Sequence, residues 1–93
     1  MWVYKASYKF LDEGLHGEVV DFPGVITSGR NIKEARRLLA GALVDMAETA
    51  ILIDEPLPTP NADLKDPEAD FDEPIHLILN AWTQIKVRPA ALT

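Results

Sequence analysis

The side chains of this 93-residue chain that could do chemistry are mostly carboxylates, and they are concentrated. Between residues 54 and 74 stand Asp54, Glu55, Asp63, Asp66, Glu68, Asp70, Asp72 and Glu73 against one base, Lys65. That segment carries −7 of a total of −6, so the remainder of the chain carries +1. A segment of this sign repels phosphate and attracts and steers a basic protein. It also has the composition of a solvated, charge-extended connector. Other chemistry is sparse. There is no cysteine, which excludes a disulfide scaffold, a thiol nucleophile and thiolate metal sites and suits a cytosolic protein. His16 and His76 share no ligand spacing and read as surface or interface residues. Ser7 and Ser28 lack a nucleophile-elbow context and a nearby base, and Gly24 with Gly29 lack the spacing and the Lys-Ser/Thr pair of a phosphate-binding loop. Arg30, Lys33, Arg36 and Arg37 form the basic concentration, but Glu34 sits inside it and no aromatics interleave, which fits a solvated helix face.

The elements that must position these groups are legible from periodicity. Trp2, Tyr4, Ala6, Tyr8 and Phe10 alternate with Val3, Lys5, Ser7 and Lys9, a strand with an aromatic face and a mostly polar face. Asp12-Glu13-Gly14 supplies a hairpin turn, Leu15 to Val20 a second strand and Val25 to Ser28 a third. From Ile32 to Ile53, Ile32, Ala35, Leu38, Leu39, Ala42, Leu43, Met46, Ala50 and Ile53 recur at helical spacing. Gly41 lies inside this helix, where it suggests close backbone packing. Pro56, Pro58 and Pro60 end the helix, and Pro67 and Pro74 keep the acidic stretch irregular. Ile75 to Val87 alternates as a strand, with a short helix through Ile78, Ala81, Trp82 and Ile85 as the competing pattern. The expectation is one α+β domain over residues 1–93, in the order β-β-β-α-β. A three-stranded antiparallel meander carries one long helix, followed by an acidic connector at 54–74 and a C-terminal strand at 75–88. A chain of this length buries roughly 60–65% of its unfolded surface, so self-association to a dimer or higher oligomer would help it. No apolar run is long enough to span a bilayer and the first residues lack a signal core, so the expected location is cytoplasmic.

The junction between the third strand and the helix is dense with punctuation. Pro23 and Gly24 suit a type II turn, with Gly24 at the position that needs positive φ. Asn31 can cap the helix, and Glu34 can reach back to Asn31 as a capping box. The ordered combination of Asp21-Phe22-Pro23-Gly24-Val25, Thr27, Gly29 and a helix opening with Glu34-Ala35 resembles the HicB family, whose members are antitoxins of bacterial toxin–antitoxin pairs. The likeness extends from Tyr4 through Asp12-Glu13-Gly14 to Glu55-Pro56-Leu57-Pro58, and so covers roughly the first 60 residues well and the remainder loosely.

The resemblance implies a partial RNase H-like fold. Two-metal nucleases of that fold need an Asp inside the first strand, where this chain offers only Lys5, Ser7 and Lys9 on the polar face. Asp12 and Glu13 lie in a turn, Glu18 in the second strand and Asp21 before the Pro-Gly turn, so no nuclease activity, metal or cofactor is expected. Many family members continue into a C-terminal DNA-binding module. Only Arg88-Pro89-Ala90-Ala91-Leu92-Thr93 follow Val87 here, which argues against direct DNA binding. The implied function is that of a type II antitoxin binding and occluding a small HicA-type mRNA-cleaving toxin. Charge placement assigns partner steering to Asp63, Asp66, Glu68, Asp70 and Asp72, with Phe71 as an apolar anchor. The alternative is an orphan, homo-oligomeric structural or regulatory domain.

Overall fold

A computed structural model of the chain describes residues 2–79. It is an α+β arrangement in which β1 (Trp2–Leu11), β2 (Gly14–Val19), β3 (Ile26–Gly29) and β4 (Phe71–Leu77) form one antiparallel sheet, ordered β3-β2-β1-β4. The helix α1 (Ile32–Leu52) lies between β3 and β4 in sequence. Strand alternation sorts side chains between two faces. Tyr4, Ala6 and Tyr8 of β1 and Leu15 and Val19 of β2 are buried and form the core with Ala35, Leu39, Leu43 and Ala47 of α1. Lys5, Ser7, Lys9, His16 and Glu18 therefore occupy the opposite face.

Turn chemistry sets these elements. Val25 N–H donates to Phe22 O at 3.3 Å across Pro23-Gly24, and Gly24 takes φ +92°, as a type II turn requires. Asn31 is extended and its Oδ1 accepts Glu34 N–H at 2.8 Å. The reciprocal bond expected at Asn31 is made one residue earlier: Glu34 Oε1 accepts Arg30 N–H, while Oε2 accepts Arg30 Nε and Nη2. Arg30 wins because its backbone and guanidinium converge on one carboxylate, and charge-assisted bonds are the stronger ones. The helix ends before Pro56. Asp54 at φ +59° lets its N–H reach Ile51 O and Glu55 N–H reach Ala50 O, the two bonds of a Schellman motif.

Gly29 lies where β3 meets α1; a Cβ there would come within 2.7 Å of Ala35 N and 3.0 Å of Ala35 Cβ. The Gly29 and Ala35 positions are thus two halves of one close approach. Gly41 differs from expectation: a Cβ there meets nothing within 4 Å, because the position is exposed, opposite the Ala35-Leu39-Leu43-Ala47-Ile51 stripe. β4 also differs, beginning at Phe71 and not at Ile75. Phe71, Glu73, Ile75 and Leu77 turn toward the core face, opposite Tyr8, Ala6, Tyr4 and Trp2. Pro74 is accommodated opposite Lys5, whose N–H and C=O point away to Asp21 and Val20, so no bond is demanded of a proline nitrogen on this edge strand. Residues 80–88 of the expected strand lie outside the described residues.

Candidate partner-binding face

The acidic segment is not a free connector. From the end of α1 it starts on the helix side, where Leu57 packs against the core, and then crosses as a strap to the sheet face opposite the helix, tied at successive points to β1 and the turn after β2. The Tyr4 hydroxyl donates to Pro58 O at 2.7 Å. Burial, with the Asp21 charge nearby, pushes this phenol up to about 12 and keeps it a donor. Asp21 is 6% exposed and bridges the layers: Oδ1 accepts Lys5 N–H and Oδ2 accepts Asn61 N–H, each at 2.9 Å. Lys5 Nζ donates to Ala62 O at 2.6 Å and Leu64 O at 3.0 Å. Lys9 Nζ sits 3.6 Å from Glu68. Asp70 closes the strap, its N–H donating to Tyr8 O and its Oδ2 accepting Phe10 N–H.

The expected partner residues therefore divide. Asp66 and Asp70 hold the strap: Asp66 Oδ1 accepts Glu68 N–H at 2.9 Å, and Asp70 extends the β1–β4 ladder. Asp63 and Asp72 are exposed, as are Glu68, which also pairs with Lys9, and Asp70. Phe71 is half-buried, stacked on Tyr8 with ring centroids 4.8 Å apart and tilted against Phe10 at 5.9 Å, so much of its surface serves the fold. Glu73 belongs to the other face, where Arg36 Nε and Nη2 donate to its two oxygens at 2.9 Å. That guanidinium holds the Glu73 carboxyl below its ordinary range. Burial first, then Glu73, raises the neighbouring Tyr8 phenol. Within the motif after β2, Asp21, Pro23, Gly24, Gly29, Glu34 and Ala35 shape turns, caps and the strand–helix contact, while Thr27 lies in β3 opposite Gly17.

The carboxylates weighed for metal chemistry do not converge. Asp12 and Glu13 lie in the β1–β2 turn, Asp21 is committed to two backbone N–H groups, and Glu18 lies under the strap. Among the described residues no group of three metal-ligating side chains comes together. Two features escaped the sequence reading. Burial first, then the neighbouring Asp66 carboxyl, raises Glu18, while Asp66 is lowered chiefly by the Glu68 N–H and then by Glu18. Ser7 is 2% exposed and its Oγ has no hydrogen-bond partner. Alternation places both on one face, but only the strap's path brings Asp66 near Glu18.

No protein-family model matches the chain, and no curated protein does. Solved structures do. A chain of a HicA3 and HicB3 toxin–antitoxin complex aligns at TM-score 0.66 and 20% identity, over 84% of this chain and 98% of that one. The N-terminal domain of the Burkholderia pseudomallei antitoxin HicB aligns at TM-score 0.67 and 22% identity, over 83% and 99%. Among the described residues no helix is long and apolar enough to cross a membrane. The β-β-β-α-β chain with its strapped sheet thus has the fold of the N-terminal domain of the antitoxin HicB.

Proposed function

We propose that this protein is a cytoplasmic antitoxin of a type II toxin–antitoxin system and that it binds and occludes a small, basic, HicA-like mRNA-cleaving toxin. The observation that carries the reading is the alignment with nearly the whole of a chain from a toxin–antitoxin complex and with an antitoxin domain. The surface chemistry supports it. A toxin that cleaves RNA needs positive charge for phosphates, and the exposed carboxylates Asp63, Glu68 and Asp72 offer that charge a competing surface. The role is one of binding, without catalysis and without direct DNA contact. Self-association fits alongside it, because β4 is a sheet edge among the described residues, and Trp2, Val3 and Ile78 near its end are exposed.

Mixing the chain with a HicA-type toxin should give a complex on gel filtration and abolish mRNA cleavage. Replacing Asp63, Glu68 and Asp72 with Asn, Gln and Asn should slow association roughly 10-fold at low salt and leave Asp66 and Asp70 holding the strap. A toxin that stays active and elutes alone at micromolar concentrations of both proteins overturns the antitoxin reading. A stable dimer with no toxin affinity would favour the orphan homo-oligomer.

A further inference from the structure

Phe10 departs from the rest of its strand face. Alternation gives it the parity of the buried Tyr4, Ala6 and Tyr8, and its cross-strand neighbour Leu15 is 3% exposed, yet Phe10 is 56% exposed. The core closes over Leu15 and stops short of Phe10. The ring is held in place all the same. It is tilted against Phe71 with centroids 5.9 Å apart, and Phe71 in turn stacks on the buried Tyr8 at 4.8 Å. Three rings thus step from the core to the surface, and Phe71, which the sequence offers as an apolar anchor, is the support on which the exposed ring rests.

A carboxylate is bound to the same residue. Asp70 Oδ2 accepts the Phe10 N–H at 2.6 Å, and the Asp70 N–H donates to Tyr8 O at 2.8 Å, so Asp70 is fixed by two backbone bonds. Ring and carboxylate therefore meet at one backbone position and lie no more than a side chain's length apart. Asp70 is exposed, and among the described residues its Oδ1 has no donor. Cations of this chain are engaged elsewhere: Lys9 with Glu68, Arg36 with Glu73 and Arg30 with Glu34. In the turn that follows β1, Asp12 and Glu13 are also exposed, so this end of the hairpin is negative.

We propose that the Phe10 ring and the Asp70 carboxylate form a seat for one arginine side chain of a basic protein partner. A guanidinium suits both halves, because its flat, delocalised cation lies against the ring while an N–H donates to Oδ1. An ammonium is more strongly hydrated and has no plane to lay on the ring. An aliphatic anchor would cover the ring but leave the carboxylate desolvated and unpaired. A nucleic acid could stack a base on Phe10, but the surrounding carboxylates repel its phosphates. The seat deepens the partner-binding reading and rests on it only for the identity of the partner.

The test titrates the chain itself with N-acetyl-triarginine amide and, separately, N-acetyl-trilysine amide, followed by NMR of the Phe10 ring, the Asp70 carboxyl carbon and the peptide side-chain protons. Triarginine should shift both residues, and its δ-methylene protons should move upfield as they enter the ring current of Phe10. Trilysine, of equal charge, should leave its own side-chain protons unmoved. Phe10→Leu should weaken triarginine binding about 3-fold, while Phe10→Tyr retains the parent's affinity. Asp70→Asn, which keeps an acceptor for the Phe10 N–H, should also weaken it about 3-fold, and Asp63→Asn, with the same change in charge, should have a smaller effect. The absence of the upfield shift, an equal shift from trilysine, full binding by Phe10→Leu, or equal losses from Asp63→Asn and Asp70→Asn would overturn the seat. A HicA-type toxin that binds the parent, Phe10→Leu and Asp70→Asn equally would also overturn it while leaving the antitoxin reading standing. Triarginine seated at Phe10 with no toxin binding supports the seat and removes that reading.

Discussion

Under α1 the sheet is closed by Tyr4, Ala6, Tyr8, Leu15 and Val19 against Ala35, Leu39, Leu43 and Ala47, all 3% exposed or less. Under the strap it is closed by Asp21, Lys5 and Asp70 reaching backbone groups, with one Lys–Glu pair. The first face is held by apolar area, which is non-directional and lost only when the domain unfolds. The second is held at a few discrete points, each of which can open while the core stays packed. A binding surface built on the second kind of closure can adjust to a partner without risk to the fold.

The largest expected effect tests the dry face. Leu43→Ala should lower unfolding stability by about 2–5 kcal/mol, read by urea denaturation, because a fully buried side chain is removed against a packed sheet. Asp21→Ala should cost less, about 1–3 kcal/mol, for the two N–H groups left without an acceptor. Its signature should be local: faster proteolysis within residues 55–70, ahead of any change in helix content. If Asp21→Ala instead matches Leu43→Ala and no local opening precedes global unfolding, the two faces are one cooperative unit and the contrast fails.

Elements whose signals are local were legible in the sequence. Alternation gave β1 and β2, and Pro23-Gly24 and Asn31 gave the turn and the start of α1, because each depends on neighbours a few residues away. The start of β4 was hidden because Asp72 and Pro74, its outward-facing positions, carry the acidic and proline signals of a loop. The strap could not be read at all. Its anchors are backbone N–H and C=O groups, which every sequence possesses, and the meeting of Asp66 with Glu18 depends on a path set by both ends. Gly41 was misread for a related reason, since a glycine within a helix looks the same whether it faces a neighbour or water.

That last distinction yields the smallest effect and a sharp one. Gly41→Ala, in open space on the helix, should stabilise the protein by about 0.5–1 kcal/mol. Gly29→Ala, whose new methyl would meet the Ala35 backbone, should destabilise it. Thermal melts of the two variants should move in opposite directions, and a loss of stability in Gly41→Ala would mean that the exposed side of α1 has a role the dry-face description omits.

The placement of β4 beside β1 has a kinetic consequence. β1, β2 and β3 pair through short turns, but the β1–β4 ladder joins Tyr8 to Phe71 and Trp2 to Leu77 across most of the chain. Closing so long a loop is entropically slow, so the hairpins and α1 should assemble first and β4 should dock last, drawing the strap down with it. On a ribosome, the acidic face would not exist until residue 77 had cleared the exit tunnel. Until then Tyr4, Ala6 and Tyr8 would line an open edge, and the nascent chain would be least protected just before it acquired the surface proposed for its partner.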